Sequence, residues 1–119
     1  MIDVTVEISE RSSKKLLSSS FALKMVGQKP ANLKVKDITL AEAKDWVGEG
    51  GFQSSIGHPE AAERIGKLLG VDVVSSRVDD RLYAGDQVLV NQYIGPRVPE
   101  GEEYAPDEKY YTWTLVCVV

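Results

Sequence analysis

The chain has one histidine, His58, and places it where a small, polar, glycine-punctuated loop meets a helix: Gly50-Gly51-Phe52-Gln53-Ser54-Ser55-Ile56-Gly57-His58-Pro59-Glu60. Pro59 suits the first helical position, since its missing N–H would be unpaired there and its ring presets a helical φ. His58 therefore falls at or beside the N-cap. The unpaired amides and the positive dipole end make such a junction an anion site, and an imidazole there can protonate a leaving oxygen. The alternative is a polar residue that only satisfies a backbone group. A second pair, Arg97 and Glu100, sits in the stiff loop Gly95-Pro96-Arg97-Val98-Pro99-Glu100-Gly101. An arginine fork grips phosphate in two places, whereas the alternative is an exposed loop charge. Brought together, the three residues make a phosphate-binding acid–base site.

The elements that must position these residues follow from patterning. Ile2, Val4, Val6 and Ile8 alternate with polar residues as in a half-buried strand, and Glu10 to Lys15 interrupt it. Leu16 and Leu17 read as a short strand running into a serine-rich turn with one helical turn. Leu33, Val35 and Ile38 suggest another strand. Thr39-Leu40-Ala41-Glu42 is a capping box, so a helix starts there, puts Leu40, Ala43, Trp46 and Val47 on one apolar face, and ends at Gly48, Gly50 and Gly51. The helix from Pro59 buries Ala61, Ala62, Ile65, Leu68 and Leu69. Its outer face pairs Glu60 with Arg64 and Glu63 with Lys67, and Gly70 stops it. Residues 71–78 read as extended structure or a short strand, and Val88 to Ile94 as a strand rich in β-branched residues. The apolar run around Trp113 suits an interior strand. Strands and helices mix without a regular βαβ rhythm. The expected fold is α/β of the α+β type, a mixed sheet of about five strands flanked by two or three helices in a single domain.

Composition narrows the function. The chain has 119 residues, 43% of them hydrophobic, enough for a buried core. A net charge of −4 argues against capture of long nucleic acid, which calls for a basic face. No apolar run approaches a membrane span and no secretory leader is evident, so a cytoplasmic location is expected. One histidine and one cysteine, Cys117, give no zinc ligand set and no internal disulfide. Cys117 reads as a buried strand residue. No nucleophile-elbow signature supports a serine triad.

The blocks Phe52-Gln53-Ser54-Ser55-Ile56-Gly57-His58, Leu68-Leu69-Gly70-Val71, Ser76-Arg77-Val78, Gly85-Asp86 and Arg97-Val98-Pro99-Glu100-Gly101 resemble the viral anti-CRISPR ring nucleases and their cellular relatives. The resemblance covers residues 16–119 and leaves 1–15 as an N-terminal extension, an extra strand or tail. It implies a homodimer that encloses cyclic tetra-adenylate, the messenger of type III CRISPR systems, at its two-fold interface. It further implies opening of the ring to linear di-adenylate with no metal or other cofactor, in the host cytoplasm if the protein is viral. On that resemblance His58 is the general acid, Arg97 steadies the phosphate and Glu100 balances charge around it. Ser54, Ser55, Ile56, Gly57, Ser20 and Phe21 are then the ligand-binding residues. One departure stands out: the family's serine falls on Ala22. The alternative function is therefore a sponge that binds a cyclic nucleotide without cleaving it.

Overall fold

A computed structural model describes residues 13–27, 29–78, 80–97, 99 and 108–119. The strand expected over residues 2–8 lies outside them. Five strands form one mixed sheet in the order β2-β5-β4-β1-β3. They are β1 (Lys15–Ser18), β2 (Leu33–Ile38), β3 (Phe52–Ser54), β4 (Gln87–Tyr93) and β5 (Tyr111–Val118), with helices α1 (Leu40–Gly48) and α2 (Pro59–Leu69) between them. The sequence reading takes Phe52 to Ser54 as loop. Those residues form a short edge strand because β1 supplies a ladder for them, pairing Lys15 with Phe52 and Leu17 with Ser54.

The chain leaves β1, crosses to the far edge as β2, and returns through α1 to β3 at β1's side. It then passes through α2 to β4 on β1's other side. β1 thus has parallel partners on both flanks, while β5 pairs antiparallel with β2 and β4. Alternation sends the neighbours Leu16 and Leu17 to opposite faces, both fully buried. On one face Leu17, Leu89 and Trp113 pack under Ala43, Trp46 and Val47 of α1 and Ala62, Ile65 and Leu69 of α2. On the other, Leu16, Val88, Val90, Val116 and Val118 are covered by Met25 and Leu82. Those two covering segments pair with each other through Leu82 N–H to Met25 O and Gly27 N–H to Leu82 O, each 2.7 Å. Lys34 and Lys36 stand exposed on β2, an edge strand, where charge discourages pairing with another chain.

Both helices start and stop as their sequences dictate. Thr39 Oγ1 accepts from the Glu42 amide and Glu42 accepts from the Thr39 amide, each at 3.1 Å. The Thr39 backbone N–H holds the Glu42 carboxyl below the usual glutamate value of 4.5. Gly70 ends α2 in the left-handed region at φ 75°. Of the two expected surface pairs, Glu63–Lys67 forms at 3.2 Å. Arg64 instead lies over the Tyr111 ring, 5.7 Å from its centroid, because α2 crosses β5 there. Residues 71–78 form no strand. Cys117 is half-buried rather than buried, since it lies on β5 opposite Lys34 of the edge strand.

The helix-covered face buries an unpaired polar group on β4. Asn91 is 3% exposed on β4, and its Nδ2 has no hydrogen-bond partner. A buried donor left unmade costs about 1–3 kcal/mol, so the near-isosteric Asn91→Leu should stabilise the fold by about 1 kcal/mol. Chemical denaturation checks this; a lower midpoint at unchanged slope would show that Asn91 contributes to the fold.

Candidate functional site

The sheet fixes where the loops that carry the candidate residues begin. Because β1, β3 and β4 are mutually parallel and in register, pairing Leu17 with Ser54 and Ser18 with Val90, their carboxyl ends share one edge of the sheet. The three loops leaving those ends are the ones that carry Ser20 and Phe21, Ser54 to His58, and Arg97. Crevices at the carboxyl ends of parallel strands are the usual ligand sites of open sheets. β4 runs on to Tyr93, three residues past the level of Ser18, so the Arg97 loop departs farther out.

The His58 loop is pinned from below. Ser55 N–H donates to Leu17 O at 2.9 Å, which carries the β1 ladder one residue past β3. Ser54, itself buried, accepts the Ile56 amide on its Oγ at 3.3 Å. Ile56 is fully enclosed in the core, so its side chain, like that of Ser54, anchors the loop. Gly57 follows half-buried, and His58 stands exposed in an extended conformation as the N-cap of α2. Its imidazole makes no capping bond and Pro59 occupies the first turn. The amides at the start of α2 thus receive no cap from the N-cap side chain, and the positive end of the helix dipole lies beside the imidazole. Glu60, the acidic residue of the first turn, opposes an anion there.

The structure adds a cation to this junction that the sequence reading does not single out. After α2 the chain runs back along the helix, approaching so closely that a Cβ on Gly66 would stand 2.7 Å from Val71 O. Ser76 N–H then donates to Ile56 O at 2.9 Å, tying the return segment to the His58 loop. This lays the Arg77 guanidinium over Gly57, where an added Cβ would stand 3.0 Å from Arg77 Cζ. The signals in the sequence were Gly66 in the middle of a helix and Gly57 beside the histidine, both of which mark close approach.

The remaining candidates are placed as follows. Ser20 is exposed, and its N–H and C=O are both bonded to Ser18 Oγ at 3.2 and 2.9 Å. Phe21 is half-buried and packs under the sheet against the second core cluster. Ala22 donates its N–H to Met25 Sδ at 3.3 Å and opens a turn of 3-10 helix, Leu23–Met25. Arg97 is exposed four residues past the end of β4. Glu100 lies outside the described residues. A groove of about 900 Å³ runs along α2, lined by Pro59, Gly66, Val73 and Ser75 among others, with neither His58 nor Arg97 in its wall. Among the described residues no group of three or more His, Cys, Asp or Glu is placed to hold a metal ion, and no helix is long and apolar enough to cross a membrane.

The assembled chemistry is an exposed imidazole, a helix start and an arginine within one loop junction, suited to an anionic ligand and to proton donation. Gly57→Ala should leave unfolding free energy within about 0.5 kcal/mol while displacing Arg77 from the junction. A crystal structure of the variant with Arg77 unmoved would contradict the close approach.

Comparison with known proteins places this arrangement. No curated protein sequence matches the chain significantly. Among solved structures, B116 of Sulfolobus turreted icosahedral virus (STIV) superposes with a TM-score of 0.71 at 19% identity, covering 88% of this chain and 99% of that one. At that identity the likeness shows a shared fold. The model of the STIV B116-like family matches residues 15–109, from the first residue of β1 through all three loops of the candidate site, and the chain belongs to the STIV B116-like family.

Proposed function

We propose that this protein is a metal-independent ring nuclease that binds cyclic tetra-adenylate and opens it to linear di-adenylate, switching off type III CRISPR signalling. The observation that supports this most is the junction at α2: an uncapped helix start, an exposed His58 and Arg77 laid over Gly57. The anti-CRISPR ring nucleases that the sequence resembles use a histidine as general acid and an arginine on the phosphate, and the resemblance puts these on His58 and Arg97; Arg77 is a further cation beside them.

In the proposed reaction a ribose 2′-hydroxyl of the ligand passes its proton to solvent water and its oxygen attacks the adjacent phosphorus as the P–O5′ bond breaks. His58 donates its proton to the departing 5′ oxygen, leaving a 2′,3′-cyclic phosphate and a free 5′-hydroxyl. The developing charge on phosphorus is met by the helix start, Arg77 and Arg97, with Glu100 balancing them. His58 and Arg97 are both exposed in a single chain. A homodimer would enclose a ligand of four phosphates about a two-fold axis, each subunit offering one copy of the site. The fold shared with a viral protein suggests a virus-encoded suppressor acting in the host cytoplasm.

The second reading, a sponge that sequesters the ring uncut, rests on Ala22. This residue has no hydroxyl, and its amide is committed to Met25. Purified protein incubated with cyclic tetra-adenylate and a chelator should yield linear di-adenylate. His58→Ala should slow cleavage by about 10²–10⁴-fold with the dissociation constant little changed. Tight retention of an intact ring by the wild type would decide for the sponge, and no binding at all would reject both readings.

A further inference from the structure

We infer that Tyr93 is a positioning residue for Arg97, the last link of a brace on the loop that presents the arginine. This rests on the phosphate-binding reading of Arg97 given above and extends it to residues that do not touch the ligand.

The brace acts on consecutive residues. Ile94, the first residue past β4, donates its N–H to Tyr110 O at 2.7 Å. Gly95 fits between two aromatic rings, where an added Cβ would stand 2.6 Å from Tyr93 Oη and 2.7 Å from Tyr110 Cγ. The Tyr93 hydroxyl then donates to the carbonyl of Pro96, the residue directly before Arg97. The two rings meet edge-on at 6.2 Å, and Tyr93 also packs against Tyr111 at 5.4 Å. Arg97 is exposed, so the backbone before it, rather than packing of its own side chain, sets where its guanidinium points.

The fold does not need the hydroxyl. The pairing of Tyr93 with Tyr111 already holds the residue at the end of the β4–β5 ladder, and its ring contacts are retained by phenylalanine. To the loop, which has no regular structure between Ile94 and Arg97, the hydroxyl adds its bond to the Pro96 carbonyl. Its contribution is preorganisation: a phosphate contact that is already aimed loses less on binding than one that must be ordered first.

Two measurements on Tyr93→Phe test this. Amide exchange followed by NMR should accelerate several-fold at Ile94, Gly95 and Arg97 while the β4–β5 amides keep their protection. Unchanged exchange in the loop would overturn the brace. Cleavage of cyclic tetra-adenylate by the full chain should fall about 10-fold, the scale of one hydrogen bond, and the same change made in an Arg97→Ala background should cost nothing further. An equal loss in both backgrounds would show that Tyr93 acts on the fold and not through Arg97. If the wild type neither binds nor cleaves the ring, the nuclease reading fails, and the exchange comparison alone decides the brace.

Discussion

Parallel pairing of β1 is the constraint from which the rest follows. The strand is four residues long, flanked by β3 and β4, and its two leucines are fully buried on opposite faces. A slip of one residue would exchange Leu16 for Leu17 between two differently built core clusters, so the register is strongly specified. Register in turn decides the site. With Leu17 level with Ser54 and Ser18 level with Val90, the loops after β1, β3 and β4 leave the sheet at one edge. The loops that carry residues 20, 58 and 97 thereby all begin at one end of the sheet in a small α+β domain.

Electrostatics separates the surface as a whole from the site. The chain carries a net charge of −4, which disfavours broad attraction of polyanions. At the α2 start, by contrast, the partial positive charge of the helix, Arg77 and an ionisable imidazole lie within one loop and the segment tied to it. Such an arrangement favours a compact anion that fits the junction over a long chain that needs an extended basic face. Glu60 in the first helical turn sets a limit on how much negative charge the junction tolerates.

Much of this was legible in the sequence where a local rule has one solution. Thr39 with Glu42, Pro59, Gly70 and the spacing of Ala62, Ile65 and Leu69 each specify a helix boundary or face by short-range chemistry, and the structure has both helices there. The strand at Phe52 to Ser54 was not legible, because three residues between glycines and serines acquire strand geometry only from a neighbour far away in the chain. Arg77 escaped for a related reason. Nothing near it in sequence says that the chain after α2 doubles back along the helix; Gly66 and the bond from Ser76 to Ile56 do so in space. The burial of Ile56 was not legible either: it stands in a polar loop, and only the packed core shows that its side chain anchors that loop. The roles of Arg97 and Glu100 came from resemblance, and only Arg97 lies within the described residues.

The proposed function requires the three loops to form one anion-binding edge. The most direct measurement is an amide NMR titration of the full chain with cyclic tetra-adenylate, with inorganic phosphate as the smaller probe. The account predicts that the resonances of Ser20, Ser55 to His58, Arg77 and the Ile94 to Arg97 loop shift together and saturate at one ligand concentration. Shifts confined to the groove along α2 at Gly66 to Val73, or loops that saturate at separate concentrations, would contradict it.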